Sequence, residues 1–197
     1  MPIIPVFPNI IHGIEIKDFN DVKDNLIDFV YDEYKKDSGG LNKSNEGGWH
    51  SHTNFHDYEN CLSDFIIKSL NNYFPNSNVF VEEFQYRLQG LWININGNGG
   101  YNKSHVHPGS DMSGVFWIKL PKNSGGIVFQ NSSYFNRCKE IDLYNEQFRK
   151  DMILYPEYRL FPGEGMMALF PSSLYHCVET NRSDEDRISL SFNIEFG

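Results

Sequence analysis

Two hydrophobic periods divide the chain. In residues 18–35, DFNDVKDNLIDFVYDEYK, the apolar positions Phe19, Val22, Leu26, Phe29, Val30 and Tyr34 recur at steps of three and four. That spacing puts them on one face of an amphipathic helix, with Asp18 or Asn20 available as its cap. Residues 57–73 repeat the pattern through Tyr58, Leu62, Phe65, Ile66, Leu70 and Tyr73. Between the two lies DSGGLNKSNEGGWHSH, a polar, glycine-rich stretch of the length that often serves as a binding loop. From Val79 the period falls to two. FQYRL alternates, and in LWININ the residues Leu91, Ile93 and Ile95 take one face while Trp92, Asn94 and Asn96 take the other. GNGG then breaks the chain, Pro108-Gly109 and Gly125-Gly126 read as turns, and SGVFWIKLP, IVFQN, GMMALFP, YHCVE and RISLSFNIEF read as strands. Residues 132–160 are mixed, with IDLYNEQFRK a short helix or a lid. Helices first and short strands afterwards predict helices packed on one outer side of a β sandwich or barrel.

A length of 197 residues suits a single domain over 1–197, with 1–78 as helical support and loop and 79–197 as the β core. The composition agrees with a mainly β fold: 16 Phe, 11 Tyr and 3 Trp, and Ala168 as the only alanine. A net charge of −9 with no basic stripe argues against nucleic acid and anionic membrane as partners. Cys61, Cys138 and Cys177 are sparse, odd in number and form no Cys-x-x-Cys pair, which suits reduced thiols and a cytoplasmic setting. The start, MPIIPVFPNIIHGI, is apolar, but its prolines and the lack of a preceding positive residue do not suit a signal peptide, and no stretch is long enough to span a bilayer.

The candidate chemistry begins at His105-Val106-His107, where the i and i+2 side chains of a strand share a face and two imidazoles can aim at one ion. Two surface histidines beside a turn would read the same way. His176, 71 residues after His105, adds a third imidazole if the intervening strands fold back on themselves. Imidazole suits Fe, Zn, Cu and Ni alike, so the ligand type does not choose the metal. Eleven residues beyond His176, Arg187 and Ser189 share another strand face, and a guanidinium with a hydroxyl beside it is suited to clamping a carboxylate. The plainer reading pairs Arg187 with Glu185 or Asp186.

Taken together, a His-x-(acid or His), a distant His and an Arg-x-Ser about ten residues later resemble the Fe(II)/2-oxoglutarate-dependent oxygenases. HVHPGSDMSGVFWIKLP, SGGIVFQNS, FPGEGMMALFPSSLYHCVETN and DRISLSFNIEF resemble a prolyl-hydroxylase-like branch found in marine bacteria and phages, over residues 90–197. The resemblance implies a double-stranded β-helix (jelly roll, cupin-like) with supporting N-terminal helices. It further implies Fe(II) on His105 and His176, 2-oxoglutarate as co-substrate on Arg187 with help from Ser189, O2 as oxidant, and ascorbate as an assay supplement. Most members carry Asp or Glu where this chain has His107. A third histidine leaves a neutral ligand set, so that Fe(II) with a dianionic co-substrate is neutral instead of −1 and harder to oxidise; Asp111, across the Pro-Gly turn, is the alternative third ligand. Phe116 and Trp117 stand where the family often offers a tyrosine, which leaves Asn94 or Asn96 as the second co-substrate contact. A peptide or small-molecule substrate is implied, with Trp49, His52 and Trp92 as candidate contacts.

His50 and His52, with His56 nearby, form a second His-x-His, but in the glycine-rich stretch they have no fixed common face, and a solvated or substrate-contacting role suits them better than metal. The spacings around Gly99, His105, His107 and Asp111, and around Gly165, Pro171 and His176, also approach the two cupin signatures. Cupins with three histidines oxidise small molecules without 2-oxoglutarate. A zinc hydrase could use the same imidazoles. A metal-free, ligand-binding β-sandwich would leave the three histidines unrelated to one another.

Overall fold

The structure, a computed structural model, describes residues 8–81, 83–131 and 143–197. Along the chain run β1 (His12–Glu15), α1 (Phe19–Lys36), β2 (Asn45–His50), α2 (Cys61–Asn76), β3 (Tyr86–His105), β4 (Met112–Lys119), β5 (Ile127–Gln130), α3 (Glu146–Asp151), β6 (Glu157–Leu160), β7 (Met166–Pro171), β8 (His176–Val178) and β9 (Arg187–Phe196). The strands pair antiparallel in the order β1-β7-β4-β9-β3-β8-β5-β6, with β2 added on β3. The result is a half-barrel of the jelly-roll, double-stranded β-helix type with helices along one outer face, as the order of periods in the sequence predicts.

β3 joins the two halves. Its first part pairs with β9 from Tyr86↔Phe196 to Asn96↔Arg187, and its end pairs with β8 through Asn102↔Val178 and His105↔His176. The glycine run at 97–100 therefore does not break the chain; it bends a continuous strand from one partner to the other. Glycine is required there: Gly99 has φ +82°, and a Cβ on Gly100 would lie 3.0 Å from the Gly47 carbonyl oxygen and 3.1 Å from that of Gly97.

The stretch between the helices is also not all loop. Asn45–His50 forms β2, paired with β3 through Trp49↔Ile95 and His50↔Asn94. NEGGWH has no apolar alternation to announce a strand; backbone bonds to β3 hold it. Helix α2 starts at Cys61, later than its apolar pattern suggests, because Asn60 caps it by accepting from Leu62 N and Ser63 N, both at 3.0 Å. Asp18 stands at the start of α1 but makes no side-chain cap bond.

Alternation on β3, β4 and β9 sorts the side chains into two environments. Leu91, Ile93, Phe116, Leu190 and Phe192 point to the helices and pack with Leu26, Val30, Leu62, Ile66 and Leu70 in one core cluster. Each such side chain, fully buried, contributes roughly 1.5–3 kcal/mol of transfer free energy. A smaller cluster of Val115, Trp117, Ile127, Phe129, Ala168, Phe170 and Leu174 lies on the opposite face. That inner face carries the polar residues and the cavity described next.

Candidate metal centre

His105 ends β3 and lies directly across from His176, the first residue of β8. His107 stands two residues beyond the strand, its backbone N–H donating to the Ser172 carbonyl at 2.9 Å. One nitrogen from each of the three imidazoles falls within 4.8 Å of the others, and Nε2 of His107 is 3.3 Å from Nε2 of His176. Two nitrogens on one ion at metal–nitrogen distances of ~2.1 Å lie about 3–3.4 Å apart, so the spacing fits a shared cation. Nδ1 of His105 donates to the Lys103 carbonyl at 2.7 Å, and Nδ1 of His176 to the Leu174 carbonyl at 2.9 Å. Those bonds fix the tautomer and leave each Nε2 with a free lone pair.

The electrostatics agree. Burial, reinforced by the neighbouring imidazoles, holds His107 down to about 3 and His176 down to about 4, and burial also lowers His105. All three are neutral near pH 7, the state in which imidazole binds metal. Asp111 is turned elsewhere: the Pro108-Gly109 turn, with Gly109 at φ +85°, carries it to the end of β9, where its carboxylate accepts from Phe196 N at 2.8 Å. It is exposed and outside the three-histidine group.

Beside the histidines opens a cavity of about 600 Å³ lined on its floor by alternate residues of β3 and β9, among them Trp92, Asn94, Asn96, Arg187 and Ser189. Arg187 is 1 % exposed. Its Nη1 donates to the carbonyls of Ser124 and Glu179, the latter at 2.9 Å, while its Nη2 is buried with no partner. Burial brings the guanidinium down to about 10, still charged near neutrality. The neighbouring acids are engaged elsewhere: Glu179, whose charge acts on Arg187 from nearby, accepts from Gly126 N and pairs with Arg159, Glu185 pairs with Lys119 and Asp186 accepts from the Tyr31 hydroxyl. Among the described residues no aspartate or glutamate lines the cavity. A buried cation with an unused donor in an acid-free cavity fits a carboxylate. Asn94, opposite Ser189, donates from Nδ2 to Ser191 Oγ at 3.0 Å and leaves Oδ1 buried and unpartnered. A half-turn of the amide would accept the Ser191 proton at Oδ1 and turn both N–H groups to an anion.

Trp92 and Asn94 thus line the cavity, but two other predicted contacts do not. Trp49 lies in the helix-side core, with Nε1 donating to the Asp37 carbonyl at 2.7 Å, and His52 is exposed with Nε2 3.4 Å from the Asp37 carboxylate. Strand geometry is the reason: on β2, Trp49 faces the helices, so its neighbour His50 faces the cavity. Of His50 and His52, which the loop reading treats alike, His50 is the one that lines the cavity. Once 45–50 is treated as a strand, its alternation with Trp49 is the signal that finds it.

Residues 90–193 match a family model described as "Putative 2OG-Fe(II) oxygenase". The chain belongs to this family of 2OG-Fe(II) oxygenases. The matched span contains the three histidines, Asn94, Arg187 and Ser189. No curated protein matches the chain by sequence. Among solved structures, the carbocyclase SnoK from nogalamycin biosynthesis superposes with a TM-score of 0.66 at 11% identity, over 93% of this chain and 78% of that one. A Pseudomonas putida prolyl-4-hydroxylase gives 0.58 at 11% identity, over 94% and 93%. HygX from Streptomyces hygroscopicus, with nickel, 2-oxoglutarate and hygromycin B bound, gives 0.61 at 8% identity, over 94% and 82%. A Burkholderia pseudomallei 2OG-Fe(II) oxygenase is longer, and the chain spans 55% of it. At these identities the superpositions establish a common fold. Among the described residues, no helix is long and apolar enough to cross a membrane.

Proposed function

We propose that the chain is a non-haem Fe(II)- and 2-oxoglutarate-dependent dioxygenase that hydroxylates a peptide or small-molecule substrate, releasing succinate and CO2. His105, His107 and His176 hold the metal; Arg187 holds the distal carboxylate of 2-oxoglutarate, with Ser189 and Asn94 alongside. The observation that carries this reading is the buried, unpartnered Nη2 of Arg187 in the same cavity as three converging neutral imidazoles. Three histidines alone would suit a cupin oxidase or a zinc site equally well; a desolvated cation waiting for an acid would not be needed there. Fe(II) so held would supply the open coordination positions at which O2 and 2-oxoglutarate react.

The chain's own residues have three tasks. The backbone carbonyls of Lys103 and Leu174 orient two ligands, the Ser124 and Glu179 carbonyls orient Arg187, and Trp117, Ile127 and Phe170 keep the inner wall apolar. With no aspartate or glutamate among the described lining residues, the cavity suits a neutral or anionic substrate over a cationic one. That HygX has hygromycin B bound and that another neighbour is a prolyl-4-hydroxylase makes both substrate classes reasonable on this fold.

Succinate release from 2-oxoglutarate in the presence of Fe(II), O2 and ascorbate tests the reading without knowledge of the substrate. Slow uncoupled turnover is expected, together with stabilisation by the unreactive analogue N-oxalylglycine. A folded, iron-loaded sample that gives neither would overturn it in favour of a cupin-type oxidase or a binding module.

A further inference from the structure

We propose that Trp92 is a positioning residue for His107: its indole face, backed by His50, sets the plane in which that imidazole meets the metal. This rests on the three-histidine reading above. The motive is an asymmetry among the three rings. His105 and His176 are each tied through Nδ1 to a backbone carbonyl. For His107 no such bond exists among the described residues; the one ring contact its nitrogens make is Nε2 to Nε2 of His176, where an ion would sit. It also stands past the end of β3, where the ladder no longer fixes the backbone. An imidazole must present its lone pair in the ring plane, so something else has to set that plane.

Stacking supplies it. The Trp92 and His107 ring centroids are 5.5 Å apart with planes inclined by 25°, and His107 and His176 are 5.2 Å apart and inclined by 4°. Trp92 in turn lies 5.7 Å from His50 at 12°. Four rings therefore run in series: His50, Trp92, His107, His176. These separations are those of offset-stacked aromatic pairs. The far end of the series is rigid. His50 is 4 % exposed and its Nδ1 is 2.6 Å from the Ser51 carbonyl; Trp92 is 7 % exposed and sits in the β3–β9 ladder opposite Ser191. With imidazoles against its ring system, Trp92 is better placed to hold a ligand than to hold a substrate. A carboxylate at position 107 would have no ring plane to set, so the stack answers a need created by histidine there.

The test compares Trp92→Phe, which keeps a stacking face, with Trp92→Leu, which keeps apolar bulk without one. Each is titrated with Co(II) under anaerobic conditions and read by the visible ligand-field spectrum and by tryptophan emission. Wild type should bind one Co(II) per chain with quenched emission. Trp92→Phe should bind within a few-fold of wild type with the same spectrum, its binding followed through Trp117, which lines the same cavity. Trp92→Leu should bind about 10–100-fold more weakly, the range seen when an outer-shell partner is removed, with a shifted spectrum. Equal affinities and spectra for the Phe and Leu variants would overturn the role of Trp92 while leaving the metal site intact. A wild-type protein that takes up no Co(II) would instead overturn the three-histidine reading itself, and this proposal with it.

Discussion

On β3 and β9, adjacent residues work in opposite environments. Ile93 and Leu190 are fully buried against the helices, while Asn94 and Ser189, one step along the same strands, face the cavity. The helix side is apolar and interlocked. The cavity side retains a guanidinium nitrogen and an amide oxygen with no partner, and three imidazoles that burial keeps neutral. An unsatisfied buried polar group costs about 1–3 kcal/mol. One face therefore stabilises the protein and the other draws on that stability to keep groups ready for ligands. If this division is real, substitutions on the two faces should move different observables.

The largest effect should come from His176→Ala, on the cavity side. Loss of one of three ligands should remove stoichiometric Fe(II), read by metal analysis after anaerobic loading, and abolish succinate formation. Thermal denaturation should show the metal-free variant still folded, with a loss of stability limited to the buried bond to the Leu174 carbonyl and the ring's packing on Phe170. Retained iron at one per chain would contradict the assignment of this residue.

Next in size is Arg187→Ala. Removing one partner of a buried ion pair typically costs 2–5 kcal/mol, which means at least about 30-fold weaker N-oxalylglycine binding, with iron retained. Equal loss of iron would make Arg187 a structural residue. Arg187→Lys should recover only part of the affinity, since an ammonium cannot reproduce the planar pair of donors.

Acid should separate the faces a third way, in the metal-free protein. His107 and His176 have folded values of about 3 and about 4, below the ordinary imidazole value of 6.5. The unfolded chain thus binds protons first as pH falls. Stability is fully present above pH 6.5, declines below it, and continues to decline until the folded values are reached. Each imidazole held neutral contributes a slope of about 1.4 kcal/mol per pH unit in that window. Urea melts at pH 7.5 and 5.5 measure it, and replacing both His107 and His176 by Gln should flatten the dependence. Fe(II) added at pH 7.5 should stabilise, since it binds only the folded site.

Much of the inner face was legible in the sequence because it follows strand parity. Parity puts Trp92 and Asn94, and Arg187 and Ser189, on shared faces, and antiparallel return brings His176 opposite His105; His107, two residues past the end of β3, reaches the site without strand parity to place it. What parity could not reveal is β2. NEGGWH has too few apolar residues to show a period, and its pairing is made by backbone atoms and by the close approach of Gly48 to β3, where a Cβ would lie 2.7 Å from Asn96 Nδ2. Read as loop, the stretch gives Trp49, His50 and His52 no fixed faces, so nothing in it separates His50, which lines the cavity, from Trp49 and His52, which do not. The glycine run at 97–100 hides its role for a related reason: a bend within one continuous strand and a break between two strands have the same composition. In the stretch read as a short helix or lid, Glu146–Asp151 is helical, while residues 132–142 lie outside the described part of the chain.

The finest test of the comparison uses neighbours in the chain. Ile93→Val removes one methylene from the fully buried helix side and should cost about 0.5–1.5 kcal/mol in urea denaturation, with N-oxalylglycine affinity unchanged. Asn94→Ala, one residue on, should do the reverse. It forfeits the 3.0 Å bond to Ser191, worth about 1 kcal/mol, but also removes a buried acceptor without a partner, so the net change in stability should be under about 1 kcal/mol. Analogue affinity should fall by several-fold. Were Ile93→Val to weaken the analogue as much as Asn94→Ala does, the strand would be transmitting strain across its own thickness. The two faces would then be one coupled unit, and the weaker binding of the Asn94 variant would no longer identify that amide as a contact.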